Sequence, residues 1–314
     1  MSRILVAGAA GFLGSHLVDR LLADGSEVVG VDNFVTSGPR NVAHLADHPR
    51  FSFVRADITA PLVLSGRFDE IYDLACPASP IDYLQLPFET LFVSSDGTRN
   101  LLDRALLDGA RFLFTSTSEV YGDPDVHPQP ETYWGRVNSI GPRSVYDEGK
   151  RYAEALIMAY HRYRGAEVRI ARIFNTYGPR MRLGDGHVVP AFGSQALRGE
   201  SITAFGDGSQ TRSYCYVSDL IDGLVRLMAS DLTEPCNLGN PHELTVLELA
   251  RYIRDAVGAR VDIEFRPLPQ DDPRQRRPDI ARAKDRLGWE PTVPFDVGVA
   301  RTLEDFRARI AAGE

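Results

Sequence analysis

Residues 3–16 read Arg3-Ile4-Leu5-Val6-Ala7-Gly8-Ala9-Ala10-Gly11-Phe12-Leu13-Gly14-Ser15-His16. The run Ile4–Ala7 is short and apolar, as a buried strand is. Three glycines follow at G-x-x-G-x-x-G spacing, and a helical pattern over Ser15–Ala23 comes next. Strand, glycine loop, helix is the context in which such a triplet binds a dinucleotide. Gly8 permits the tight turn. Gly11 lets backbone approach a pyrophosphate seated on the helix N-terminus, with Phe12 and Leu13 beside it. Gly14 lets helix pack close to strand.

Working outward, Glu27–Val31 reads as a second strand ending at Asp32. An acid there accepts hydrogen bonds from the adenine ribose and repels a 2′-phosphate, so NAD is expected rather than NADP. Its other possible role is to cap a turn. Asn33–Gly38 would wrap the adenosine side, through Asn33, Thr36, Ser37 and Gly38. Phe51–Arg55 is a third strand, followed by Asp57 and Ile58 at the adenine. Glu70–Leu74 is a fourth, and Leu74-Ala75 opens a loop to Pro80 that runs beside the cofactor. Phe88–Leu107 reads as one long helix, Arg111–Thr115 as a fifth strand, and Glu167–Arg172 as a sixth. Strands alternating with helices predict an α/β fold with a doubly wound parallel Rossmann sheet.

After Phe174 turns at Gly178-Pro179, Gly184-Asp185-Gly186 and Gly206-Asp207-Gly208 break the pattern. Helices are expected at Val189–Arg198, Val217–Ala229, Thr245–Val257 and Phe295–Ala312. The expected division is a Rossmann domain over 1–175, with 210–230 returning to it. A smaller interleaved C-terminal domain would take 176–209 and 231–314.

The chain has 314 residues, 43% of them hydrophobic and 25% charged, as in a soluble globular protein of one large or two joined domains. Its net charge of −8 argues against a nucleic-acid partner. No apolar run is long enough to span a bilayer, and Met1-Ser2-Arg3 leads straight into a strand without a signal peptide. Three cysteines lack metal-ligand spacing, so no metal is expected and a reducing cytoplasm is. On charge alone, Arg274–Arg277 reads as a solvated patch.

The chemistry is expected between Thr117 and Lys150. Tyr146 and Lys150 are four apart, on one face of a helix running to about Arg164. A free tyrosine, with a pKa of about 10, is a poor base at neutral pH. A cation beside it, from Lys150 or a bound nicotinamide, favours the phenolate. Thr117 and Ser118 follow the fifth strand, so their hydroxyls emerge where open α/β sheets bind ligands. Alone, Tyr-x-x-x-Lys would more often be a surface tyrosine and a solvated lysine.

Gly8–His16, Val31–Phe34, Ala78–Pro80, Ser116–Pro128, Gly141–Arg143, Tyr146–Arg151, Ala171–Met181, Gly208–Arg212 and Asp271–Ile280 carry a resemblance over nearly the whole chain. The chain resembles the extended short-chain dehydrogenase/reductase family, and within it the UDP-glucuronate decarboxylases. Thr-Ser-Glu-Val-Tyr-Gly-Asp-Pro with Tyr-Asp-Glu-Gly-Lys-Arg is the specific part. This resemblance implies NAD used catalytically, with Tyr146 taking the sugar C4 proton as hydride leaves. The β-keto acid so formed loses CO₂ and is reprotonated at C5 to UDP-4-keto-pentose, and hydride returned from NADH to C4 gives UDP-xylose, so that either or both are expected as products. Thr117 and Ser118 would bind the C4 oxygen, and Glu119 would orient the ring or a water, or supply the C5 proton. Tyr83, in the loop after Pro80, with Asn175, Arg180, Val189, Arg212 and Arg276, would bind the substrate. The arginines would meet its diphosphate and carboxylate. The resemblance also implies a homodimer pairing 88–107 and 146–164 in a four-helix bundle. Relatives usually have Asn at Ser94, His at Asp73 and Ser at Cys76.

Three rival functions share these motifs. A 4,6-dehydratase needs an acid where Ser118 stands. A 4-epimerase must keep the carboxylate, and usually lacks the Glu of Thr-Ser-Glu. A non-catalytic NAD sensor would have no need of Tyr146, Lys150 and Thr117.

Overall fold

The computed structural model describes residues 1–271 and 273–314; Asp272, within the Asp271–Ile280 stretch, lies outside them. The strands in chain order are β1 (Arg3–Ala7), β2 (Glu27–Asp32), β3 (Phe51–Arg55), β4 (Glu70–Asp73), β5 (Arg111–Thr117), β6 (Val168–Ile173) and β7 (Thr176–Tyr177). Then come β8 (Ile202–Phe205), β9 (Thr211–Ser213), β10 (Cys215–Tyr216), β11 (Cys236–Leu238), β12 (Glu243–Thr245), β13 (Ile263–Arg266) and β14 (Gln275–Arg276). The helices are α1 (Phe12–Ala23), α2 (Pro80–Gln85), α3 (Pro87–Phe92), α4 (Thr98–Asp108) and α5 (Ser144–Arg164). They continue as α6 (Val188–Arg198), α7 (Val217–Ala229), α8 (Val246–Val257), α9 (Ala281–Leu287) and α10 (Phe295–Ala311).

Seven parallel strands form the main sheet in the order β11-β6-β5-β4-β1-β2-β3. Its strands are apolar on both faces because helices cover both. Ile4 and Val6 pack with Leu17, Leu21 and Leu220 on one side. Leu5 and Ala7 pack with Leu101, Leu102, Ala153 and Ile157 on the other. Strand order reverses between β1 and β4, which opens a crevice at the strands' carboxyl ends.

The expected long helix over 88–107 is interrupted. A wider π turn, Val93–Gly97, separates α3 from α4 and buries Ser94. Tyr83 lies on α2, not in a loop: the Ser79 hydroxyl accepts the Asp82 N–H, and Pro80 fills the first helical position. Sheet pairing also cuts across the expected boundaries at 210 and 231. Only α7 of the returning segment packs on the main sheet, against β5, β6 and α1. β9 instead joins a small sheet, β12-β9-β14, while β11 extends the main one. In that small sheet Arg276 and Arg212 are register partners.

Candidate active site

Two cavities of about 450 and 150 Å³ share Gly8, Gly11, Thr36, Ser37, Leu74 and Cys76, and so form one cleft over the crevice. Gly8 holds φ +77°, and a Cβ there would sit 2.8 Å from the Leu74 backbone. Gly11 precedes α1 without a side-chain cap, leaving the amides of Phe12, Leu13 and Gly14 for an anion. The Asp32 carboxylate accepts the N–H groups of Ala10 at 3.0 Å and Phe34 at 2.9 Å, and the Ser37 hydroxyl at 2.8 Å. It is thereby fixed facing the smaller cavity, which Asn33, Asp57, Ile58 and Ala75 also line. Asn33 donates to Asp57 at 3.0 Å. Every residue expected at the cofactor, Gly38, Tyr146 and Lys150 included, lines one of the two cavities. These residues fit a dinucleotide: an uncapped helix terminus for the pyrophosphate and a fixed carboxylate for a ribose.

Thr117 ends β5, two residues beyond the expected strand end, and Ser118 and Glu119 begin a short 3₁₀ turn. Tyr146 and Lys150 stand on the first turns of α5. All five line the larger cavity. Lys150 donates to the Thr115 carbonyl at 2.9 Å, and its Nζ lies 5.9 Å from the centre of the Tyr146 ring. Burial pushes the Tyr146 phenol well above its ordinary value of 10.0, and the Cys76 thiol adds to this. The Thr117 hydrogen bond opposes both. The Lys150 ammonium, on the same face of α5 as Tyr146, is turned to the Thr115 carbonyl on β5.

Below this pair lies a buried polar group from the three departing positions. Asp73 accepts the Thr98 hydroxyl at 3.1 Å and the Ala75 N–H at 3.3 Å. Burial pushes its carboxyl up to about 6, against the pull of Lys150. The Ser94 hydroxyl stands 3.9 Å from the Cys76 thiol.

Asn175 and Arg180 line the larger cavity, but the Arg180 guanidinium is held by Asp19 at 2.7 Å. Tyr83 is buried with its ring stacked on Tyr146, centroids 5.1 Å apart. Val189 does not line the cleft; it is buried in the hydrophobic core, where the apolar face of α6 turns it. Arg212 and Arg276 are buried in the small sheet. Arg276 donates to the Glu119 carboxylate and, at 3.2 Å, to the Gly122 carbonyl. Arg143 donates to the other Glu119 oxygen at 2.9 Å. Burial alone would raise the Glu119 carboxyl, but the two guanidiniums hold it well below its ordinary value.

Sequence reasoning assigned no role to Arg143, Asp147 or His187. Arg143 stood within the Gly-Pro-Arg motif, which was the available signal. Asp147 follows Tyr146, and burial with the Glu119 charge pushes its carboxyl up to about 7, against Arg143. His187 lines the larger cavity with Nδ1 3.1 Å from Asp185.

The sequence profile of the GDP-mannose 4,6 dehydratase family matches residues 5–302. The chain belongs to this family, within the extended short-chain dehydrogenase/reductases. A UDP-glucuronic acid decarboxylase of Arabidopsis thaliana is 55% identical over 308 residues, 98% of this chain and 70% of the relative. A dTDP-glucose 4,6-dehydratase of Streptomyces venezuelae, solved with NAD bound, is 29% identical with a TM-score of 0.90 and covers 99% of each chain. A UDP-glucuronic acid 4-epimerase of Bacillus cereus, solved with UDP-glucuronic acid and NAD, is 28% identical with a TM-score of 0.86. That alignment covers 98% of this chain and 99% of the epimerase. This member of the family therefore shares its fold with enzymes of three outcomes, and the site must distinguish them.

Proposed function

We propose that this chain decarboxylates UDP-glucuronate through a C4-keto intermediate, yielding UDP-xylose, UDP-4-keto-pentose or both. The observation that carries this is the 55% identity to a UDP-glucuronic acid decarboxylase over 98% of the chain. NAD⁺ held by the Gly8–Gly14 loop and Asp32 would supply the hydride acceptor for C4 and a cationic ring that favours the Tyr146 phenolate. Tyr146 takes the C4 hydroxyl proton, and Thr117, already hydrogen-bonded to it, holds the developing oxyanion with Ser118. The C5–C6 bond then breaks, CO₂ leaves, and its electron pair is delocalised into the C4 ketone as an enolate. C5 takes up a proton, which gives UDP-4-keto-pentose; UDP-xylose would follow where the reduced cofactor returned its hydride to C4 and Tyr146 its proton to the C4 oxygen. Glu119, ionised between two guanidiniums, suits orienting the ring or a water better than donating that proton.

Arg276, Arg212 and Arg180 receive the diphosphate and carboxylate, with Tyr83 and Asn175 against the sugar. The nucleotide sugar is thus held jointly, by Tyr83 and Asn175 of 1–175, Arg180 of 176–209, Arg212 of the small sheet's β9 and Arg276 of its β14. Ser118 disfavours dehydration, since it cannot serve as a carboxylic acid. Epimerisation is the second reading, favoured by the UDP-glucuronic acid 4-epimerase neighbour.

The partner is a second copy of the chain. Exposed Phe88, Leu91 and Phe92 on α3 and Tyr152 and Tyr163 on α5 offer an apolar face for it. The compartment is the cytoplasm, which suits three free thiols. Among the described residues no helix is long and apolar enough to cross a membrane. Incubation with UDP-glucuronate, with nucleotide-sugar analysis and CO₂ detection, tests the proposal: UDP-galacturonate without CO₂ means epimerisation.

A further inference from the structure

Arg276 belongs to the small sheet, yet it reaches Glu119 at the end of β5. Two fully buried amides, Gln129 and Asn237, link the two regions. The Gln129 N–H donates to the Arg277 carbonyl at 2.9 Å, and its side-chain oxygen accepts the Arg277 N–H at 2.8 Å. Its own carbonyl accepts the Asp279 N–H at 3.0 Å. The segment following Arg276 is therefore gripped on both backbone polar groups.

Asn237, in the middle of β11, holds Gln129 in turn. Its side-chain NH₂ donates to the carbonyls of Gln129 at 2.9 Å and Asp279 at 3.0 Å. Its oxygen accepts the Tyr121 hydroxyl at 2.8 Å. The Tyr121 oxygen also accepts Arg172 at 3.0 Å, and Arg172 pairs with Glu154 at 2.7 Å. Glu154 accepts the Ser116 hydroxyl at 2.6 Å, one residue before Thr117. A continuous buried chain thus joins the catalytic strand end to the neighbour of Arg276. Buried polar groups that lose a partner are costly, so such a network admits few alternative geometries. Asn suits the centre because it offers two donors and an acceptor; Asp lacks the donors and Leu lacks both.

We infer that Gln129 and Asn237 are positioning residues that hold Arg276 against Glu119, so that β11, outside the cleft, governs how the substrate's anionic groups are received. This rests on the decarboxylase reading. The test is a double-mutant cycle on the full chain with UDP-glucuronate, using Asn237→Leu, Gln129→Met, Arg276→Ala and the doubles. Each clasp variant alone is expected to raise KM for UDP-glucuronate about tenfold or more, the loss expected when one charge-assisted contact is displaced. NAD⁺ affinity should not change. In the Arg276→Ala background the same substitutions should add less than about twofold, because the group they position is gone. Equal effects in both backgrounds, or an unchanged KM, would overturn the inference. If one variant fails to fold by circular dichroism, the other decides. Loss of folding in both would also overturn it, since the amides would then be general stabilisers. If the unmodified enzyme releases no CO₂, the decarboxylase reading fails by itself, and the same cycle is scored by calorimetric binding of UDP-glucuronate.

Discussion

Arg276 and Glu119, 157 residues apart in the chain, share an ion pair in which a buried guanidinium meets a half-buried carboxylate that lines the active-site cleft. A second guanidinium, Arg143, holds the other carboxylate oxygen at 2.9 Å. The site thus carries two cations around one anion, an excess suited to an anionic sugar. Removing one partner of a buried pair leaves the other charge uncompensated. Arg276→Ala is therefore expected to raise KM for UDP-glucuronate by roughly ten- to a hundredfold, and Arg212→Ala likewise. Steady-state kinetics decide: unchanged KM in both would leave the arginines with a structural role only.

Tyr146→Phe removes the proton acceptor and leaves the ring stacked on Tyr83. Turnover should fall about 10²–10⁴-fold, the range for general base catalysis, with NAD⁺ still bound. Near-normal turnover by this variant would take Tyr146 out of the mechanism.

Asp32→Ala removes the acceptor that faces the smaller cavity. NAD⁺ affinity should fall while UDP affinity holds, as read by calorimetry with each ligand. A preference of the unmodified protein for NADP would contradict the role given to Asp32.

Asp73 carries a pH dependence. Its carboxyl, at 3.8 when free, is pushed up to about 6 by burial, so between those values the folded state binds the extra proton. Stability from this group is full below pH 3.8 and is lost as pH rises towards 6. At about 1.36 kcal/mol per pH unit, the loss is on the order of 3 kcal/mol. Asp73→Asn should therefore gain melting temperature over the parent as pH rises from 4 to 7. A gap that is constant across that range would contradict the assignment.

Ser94 bears on the product. It faces Gly149 on α5 from the π turn, with the Cys76 thiol 3.9 Å away. Serine reaches less far than asparagine, which the resemblance implies at this position, and is expected to support the catalytic helix less firmly. The parent is expected to release some UDP-4-keto-pentose and to accumulate NADH under excess NAD⁺. Ser94→Asn should shift the ratio towards UDP-xylose. UDP-xylose as sole product of the parent, without NADH, would remove this role.

The Rossmann half was legible because its signals are local. Gly8, Gly11 and Gly14 sit between a strand and a helix, and Asp32 ends the next strand. The strand β11 was not, since Cys236–Leu238 is three residues long and shows no periodicity. Helix α2 had a signal in Ser79-Pro80 and Asp82, which cap its first turn. The π turn at Val93–Gly97 had none, because apolar spacing continues across it. Tyr146, Lys150 and Thr117 were legible from spacing and strand position. The pairing of Arg276 with Glu119 was not, because it depends on how the small sheet docks on the large one. Lys150 shows the limit of spacing arguments: it lies on the same face as Tyr146, yet its ammonium bonds to Thr115.

The measurement closest to the central claim follows the substrate's C6 carbon. UDP-glucuronate labelled with ¹³C at the carboxylate is incubated with the enzyme and NAD⁺ and followed by NMR. The account predicts transfer of the label to CO₂ and bicarbonate, in step with a five-carbon UDP-sugar and slowed about 10²–10⁴-fold by Tyr146→Phe. Retention of the label in a UDP-hexuronate with inverted C4 would contradict it.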